Sequence, residues 1–281
     1  PAHVWMQELV VAYARYMHTA QRACELDPAF IAEVSGGAQQ AFAGVPQNVA
    51  VLVAYADWLF RRYKQAPADR AGALPPSART TLIVDSDAFA APSPDTAEGM
   101  LRCLHVLVDF FRGVTERDVF EERYREALTQ RLLTGATQLE TETQALFLIR
   151  HETGPHYTQL MDSMLQDVRN SAHLATAVAA TKDIAVFSRR CKDVSAPTMA
   201  PLIMTPGPWM VKRAPAPPTL QLNYMLRNLA PLAERTYLER HPGRKLEWCW
   251  DAGVAVVAVE FACGLRELQI TTYQYMVLYL F

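Results

Sequence analysis

Few residues in this chain have the makings of chemistry. His151 and His156 enclose Glu152-Thr153-Gly154-Pro155, and two imidazoles on one helical face could ligate zinc. That face needs a spacing of four; here it is five, and Gly-Pro breaks a helix between them. Glu260, in the apolar run from Val254 to Phe261, is the one acid that burial could turn into a proton donor with a raised pKa. An exposed strand end is the plainer expectation. The five cysteines, Cys24, Cys103, Cys191, Cys249 and Cys263, are an odd number with no C-x-x-C pair, so they suggest neither a disulfide framework nor a zinc site. Buried reduced thiols, as in the cytosol or nucleus, are expected. No G-x-S-x-G elbow and no Walker-type glycine loop occurs. The remaining conspicuous side chains read as surface or packing groups. Arg123, Arg125 and Arg131 suit the solvated face of an amphipathic helix, and Arg244-Lys245 a turn before a strand. Trp248 and Trp250 share one side of a strand and at least one should pack, while Trp209 after a glycine turn should be a structural plug.

Composition narrows the classes further. The 281 residues are 51% hydrophobic, enough for a large core in one or two domains. With 27 basic and 29 acidic residues and a net charge of −2, there is no field to attract nucleic acid or anionic lipid. The longest apolar run, Ala252 to Val259, is far short of the roughly 20 residues of a membrane helix. Pro1-Ala2-His3-Val4-Trp5 lacks the plan of a signal peptide, and a start without Met is what a piece of a longer chain would show.

The elements that position these residues change type along the chain. Trp5, Leu9, Tyr13, Tyr16, Ala20 and Ala23 fall on one face of a helix. A second helix follows Pro46, burying Val49, Leu52, Val53, Ala56, Leu59, Phe60 and Tyr63. Residues 65–99, with five prolines and few large apolar residues beyond Leu82-Ile83-Val84, read as a flexible linker or insertion. Helical spacing returns at Met100. New starts are expected at Thr115 and, as a capping box, at Thr137-Gln138-Leu139-Glu140. Gly154 ends that helix and Pro155 opens another, with Tyr157, Leu160, Met161, Met164, Leu165 and Val168 inward. Beyond about residue 185 prolines gather. Leu202-Ile203-Met204, Lys245 to Trp250, Val254 to Phe261 and Leu268 to Thr271 read as strands around a helix over Leu220 to Arg240. The expected fold is α+β and mainly α: a helical bundle over 1–185, then over 186–281 an antiparallel sheet of three or four strands with flanking helices.

Architecture of this kind names no function; the motifs do more. Asp118-Val119-Phe120 leads to Tyr124 and then to Leu128-x-x-Arg131-Leu132-Leu133. Leu146 is followed by Glu152-Thr153-Gly154-Pro155-His156-Tyr157-Thr158 and by a helix carrying Met164-Leu165-Gln166-Asp167 and Ser171. Ile203-Met204-Thr205-Pro206-Gly207-Pro208-Trp209, Tyr237-x-x-x-His241-Pro242-Gly243-Arg244-Lys245-Leu246-x-Trp248 and Thr272 to Phe281 come next. In order and spacing this resembles the cullin family, the scaffolds of multisubunit ubiquitin ligases, in the four-helix bundle and α/β part of its C-terminal half. Met210 stands where the family commonly has proline. The resemblance stops ahead of the winged-helix region that bears the lysine accepting a ubiquitin-like modifier, so no residue here is assigned that role.

What the resemblance implies is a non-catalytic scaffold in the cytoplasm or nucleus. Its sheet would accept one strand from a RING-box protein, whose RING recruits a ubiquitin-charged conjugating enzyme. Zinc would belong to that partner, and this chain would need no cofactor. Strand positions make Leu202, Met204, Leu246, Trp248, Val257, Leu268 and Ile270 the candidate docking surface. Alternatives are the cullin-like subunit of the anaphase-promoting complex, a helical interaction protein without a ubiquitin link, and a hydrolase using Glu260 or a histidine around a deep polar pocket.

Overall fold

The computed structural model describes residues 2–23, 27–66, 89, 91–181, 199–211 and 221–280. The helices are α1 (Ala2–Ala23), α2 (Pro28–Ala43), α3 (Asn48–Gln65), α4 (Ala97–Arg112), α5 (Arg117–Leu133), α6 (Leu139–Thr153), α7 (Pro155–Ala179) and α8 (Tyr224–Arg240). Strands β1 (Val254–Phe261) and β2 (Gly264–Thr271) and helix α9 (Thr272–Leu278) complete the described elements. The chain forms two compact units, 1–162 and 163–281, divided inside α7. The expected boundary near 185 and most of the expected linker, 67–88 and 90, lie outside the described residues. Among those residues no helix is long and apolar enough to cross a membrane.

In the first unit α3 packs on α1, α4 and α5, and α4 also meets α1, α2 and α6. The apolar face read for α3 is buried throughout, each large side chain contributing about 1.5–3 kcal/mol. The face of α1 is displaced from the reading. Met6, Val10, Tyr13, Met17 and Ala20 are buried, whereas Trp5 and Tyr16 are 43% and 70% exposed. Helix α2 has no counterpart in the sequence reading, although Asp27 accepts from Ala29 N and Pro28 fills the first turn. The end of the presumed linker is tied down: Gln7 Nε2 donates to Pro92 O at 3.0 Å, Arg62 pairs with Asp95 at 2.8 Å, and Thr96 caps α4 by accepting from Gly99 N. Neither expected cap at Thr115 or Thr137 forms; Glu116 and Gln138 take the N-cap positions without side-chain bonds.

Arg131 is a second correction. It is fully buried, held by Glu142 at 2.6 and 3.1 Å and by Asp57 at 3.2 Å, with the Phe60 ring 4.5 Å from its guanidinium carbon. Burial alone would lower its pKa, but the carboxylates of Glu142 and Asp57 outweigh that and hold it above its ordinary value. Arg123 does lie in solvent, and Arg125 pairs with Glu121 at 3.2 Å.

In the second unit β1 and β2 form an antiparallel hairpin, with Ala255 opposite Ile270, Val257 opposite Leu268 and Phe261 opposite Gly264. Helix α9 follows directly, closed by a capping box of Thr271 and Gln274. A Cβ on Gly253 would meet Thr272 Oγ1 at 2.1 Å, and Thr272 N donates to Gly253 O at 3.0 Å. Only glycine lets these two stretches of chain approach so closely. The sheet is therefore two-stranded among the described residues. Leu202-Ile203-Met204 and Lys245 to Trp250, expected as strands, join no ladder among the described residues; a strand exists only with a backbone partner, which local propensity does not supply.

Candidate functional site

The second unit is organised by two polar side chains on an apolar helix. Asp167 and Ser171 are four residues apart, so they share one face of α7, and both are buried at 7% and 5% exposure. Asp167 Oδ2 accepts from Thr205 N and from Trp209 Nε1, and Oδ1 accepts from Thr205 Oγ1, each at 2.8 Å. Ser171 Oγ donates to Asp167 O at 2.6 Å and accepts from Ile203 N at 2.8 Å. A buried carboxylate is costly without partners, and three donors meet this one. Gly207 at φ 109° turns the chain so that Trp209 returns to its acceptor. Trp209 is the expected plug, 9% exposed.

Beside this clamp lies an apolar cluster of Leu174, Val178, Leu232, Ala233 and Tyr237, against which Ile203, Leu238, Leu246 and Trp248 pack. Asn223 opens α8 by accepting from Leu226 N at 2.9 Å. At the far end of α8, Gly243 at φ 86° reverses the chain. Arg244 Nη1 donates to the Tyr237 hydroxyl at 2.9 Å, and the Tyr237 and His241 rings lie 4.6 Å apart. The stretch after this turn is thereby laid on the cluster. Trp248 packs there while stacking on Trp250, 5.0 Å away with the rings 11° apart.

The seven candidate docking residues fall into three groups. Val257, Leu268 and Ile270 share one face of the hairpin, the partly buried one. Leu246 and Trp248 sit on the cluster. Leu202 and Met204 flank Ile203; the N–H groups of Ile203 and Thr205, two residues apart, both bond to α7, the alternation of an extended chain, which turns Leu202 and Met204 to the side opposite Ile203. All seven lie in the second unit. Sequence reasoning did not single out Asp167, Ser171 or Ile203 as site residues. Two polar residues four apart among Met164, Leu165, Leu174 and Val178 were the available signal.

The residues read first for chemistry fall elsewhere. α6 ends and α7 begins between His151 and His156, as the Gly-Pro pair dictates. Glu260 is an exposed residue at the end of β1. Cys103 is buried, and burial pushes its thiol up to about 12, but Cys263 is exposed at the hairpin tip, against the expectation of buried thiols. In the first unit a cavity of about 410 Å³ opens between α1 and α2, lined by Trp5, Leu9, Tyr16, Val34 and Phe42 with Glu33 as its one acid. Its walls are those of an apolar groove. The arrangement in the second unit holds the backbone of Ile203 and Thr205 in place.

Comparison with known proteins agrees with this geometry. Residues 1–175 match the family model described as the cullin alpha solenoid domain, and residues 203–281 match the cullin alpha+beta domain. The chain is 32% identical to Cullin-4A of Mus musculus over 203 residues, 70% of this chain and 25% of the relative. It is 30% identical to Cullin-3B of Arabidopsis thaliana over 176 residues, 61% of this chain and 22% of that one. It thus spans about a quarter of the length of the curated relatives it matches. With both of the domain models matched in order, and the first alone covering more than half of the residues, the chain belongs to the cullin family.

Proposed function

We propose that this chain is scaffold of a cullin-RING ubiquitin ligase and takes no catalytic part. Its α+β unit receives one strand of a RING-box protein, which carries the zinc and recruits a ubiquitin-charged conjugating enzyme in the cytoplasm or nucleus. The observation that supports the reading is the segment Leu202 to Met204, which joins no ladder among the described residues and whose Ile203 packs on the apolar cluster, as Leu246 and Trp248 do. Backbone like that of Leu202 and Met204, which makes no hydrogen bond among the described residues and lies over an apolar floor, is what strand addition completes. Leu202, Met204, Leu246, Trp248, Val257, Leu268 and Ile270 are the side chains this guest would meet.

The test is reconstituted ubiquitin transfer. With activating enzyme, conjugating enzyme and ubiquitin, the complex of this chain with the RING-box protein of the same organism is expected to build chains, and this chain alone none. Chain-building by this polypeptide without the RING-box protein would contradict a non-catalytic scaffold. A complex that forms but never supports transfer would move the function to a protein-interaction scaffold without a ubiquitin link.

A further inference from the structure

The clamp on α7 does more than hold a turn. Along extended chain, the N–H and C=O of successive residues point to opposite edges. Ile203 N is taken by Ser171 Oγ and Thr205 N by Asp167 Oδ2, both at 2.8 Å. The N–H groups that Ile203 and Thr205 present on that edge are therefore already satisfied by side chains of a helix. Leu202 and Met204 present the other edge, and their backbone groups make no hydrogen bond among the described residues. Ile203, which packs on the cluster, fixes which way the segment faces, and Trp209 locks the far end through Asp167.

From this we propose that Asp167 and Ser171 are positioning residues that select the edge at which the added strand pairs: the guest bonds to the backbone of Leu202 and Met204, never to that of Ile203 and Thr205. The inference rests on the strand-addition reading above and deepens it. Two polar side chains at helical spacing stand in for a neighbouring strand. They occupy the amides of one edge, leave those of the other for a partner, and exclude a guest from the α7 edge, where its acceptors would face donors already used.

Amide hydrogen exchange on the full chain, free and bound to the RING-box protein, reads the paired edge directly. In the free chain the amides of Ile203 and Thr205 should exchange at least tenfold more slowly than those of Leu202 and Met204; on binding, Leu202 and Met204 should slow by at least tenfold. A complex in which Ile203 and Thr205 gain the protection while Leu202 and Met204 stay open overturns the choice of edge but leaves strand addition standing. Two folded proteins that form no complex overturn both. Met204→Pro removes an N–H that makes no hydrogen bond among the described residues, so it should leave the melting temperature within about 2 °C and weaken binding at least tenfold, whereas Met204→Ala, which keeps the N–H, should weaken it less. Equal binding by Met204→Pro and the parent chain would refute the assignment.

Discussion

Replacing Arg131 by Met removes the cation that pairs with fully buried Glu142. The carboxylate would keep the Tyr124 hydroxyl, 3.3 Å from Oε2, and lose two charge-assisted bonds from the guanidinium. Stripping one member from a buried pair costs about 3–5 kcal/mol, because a charge is left without compensation. At about 2–4 °C per kcal/mol for a unit of this size, the melting temperature of the first unit should fall by roughly 6–20 °C, read by far-UV circular dichroism. Removing both charges, as Arg131→Met with Glu142→Leu, leaves no stranded ion and should restore most of the loss, since apolar replacements of buried pairs are often neutral. A single variant that melts within about 2 °C of the parent, or a double variant worse than the single, would refute the claim that the pair is buried and mutually dependent.

Three further outcomes follow from the same geometry. Glu152 is held below the ordinary value of 4.5, chiefly by its hydrogen bonds from Arg112, so it contributes stability above that value and loses it as pH falls through its lowered one. Glu152→Gln should therefore melt below the parent at pH 7, with the gap closing as the pH falls through the lowered value of Glu152; a gap that widens would reverse the sign. Gly253→Ala would drive a Cβ onto Thr272 Oγ1 and should destabilise the second unit by about 1–3 kcal/mol, seen as faster amide exchange in β1 and β2. Unchanged exchange there would show that the two stretches can part freely. Trp209→Phe deletes one of three donors to buried Asp167 and should cost about 1–3 kcal/mol, measured by urea unfolding, while a loss under about 0.5 kcal/mol would mean that Thr205 alone suffices.

How far the sequence showed this depends on what each feature needed. α3 was legible because its apolar residues repeat at helical spacing and all of them are buried. α1 was misphased because its aromatic residues at 5 and 16 mark the most visible stripe, yet the smaller side chains of Met6, Val10 and Met17 fill the core. α2 carries Ser35-Gly36-Gly37 in its middle, and those residues hide a helix whose start signals, Asp27 and Pro28, were in plain view. Nothing local marks Arg131 out from Arg123. Its partners lie at Glu142 and at Asp57, and only folding brings them together. At the candidate site the extended stretches were readable from alternation and β-branched residues, but pairing was not, since propensity says how a strand is shaped and never what lies beside it. Asp167 and Ser171 took the amides that a neighbouring strand would have used.

The central claim, that the second unit is built to receive a strand, is tested most directly by mixing the purified chain with the RING-box protein of the same organism and measuring the mass of the product by size exclusion with light scattering. The account predicts a 1:1 complex that survives the column, and its loss on Trp248→Asp, which puts a charge on the cluster floor beside Ile203 and Leu246. Two folded proteins that elute separately at micromolar concentration would contradict it.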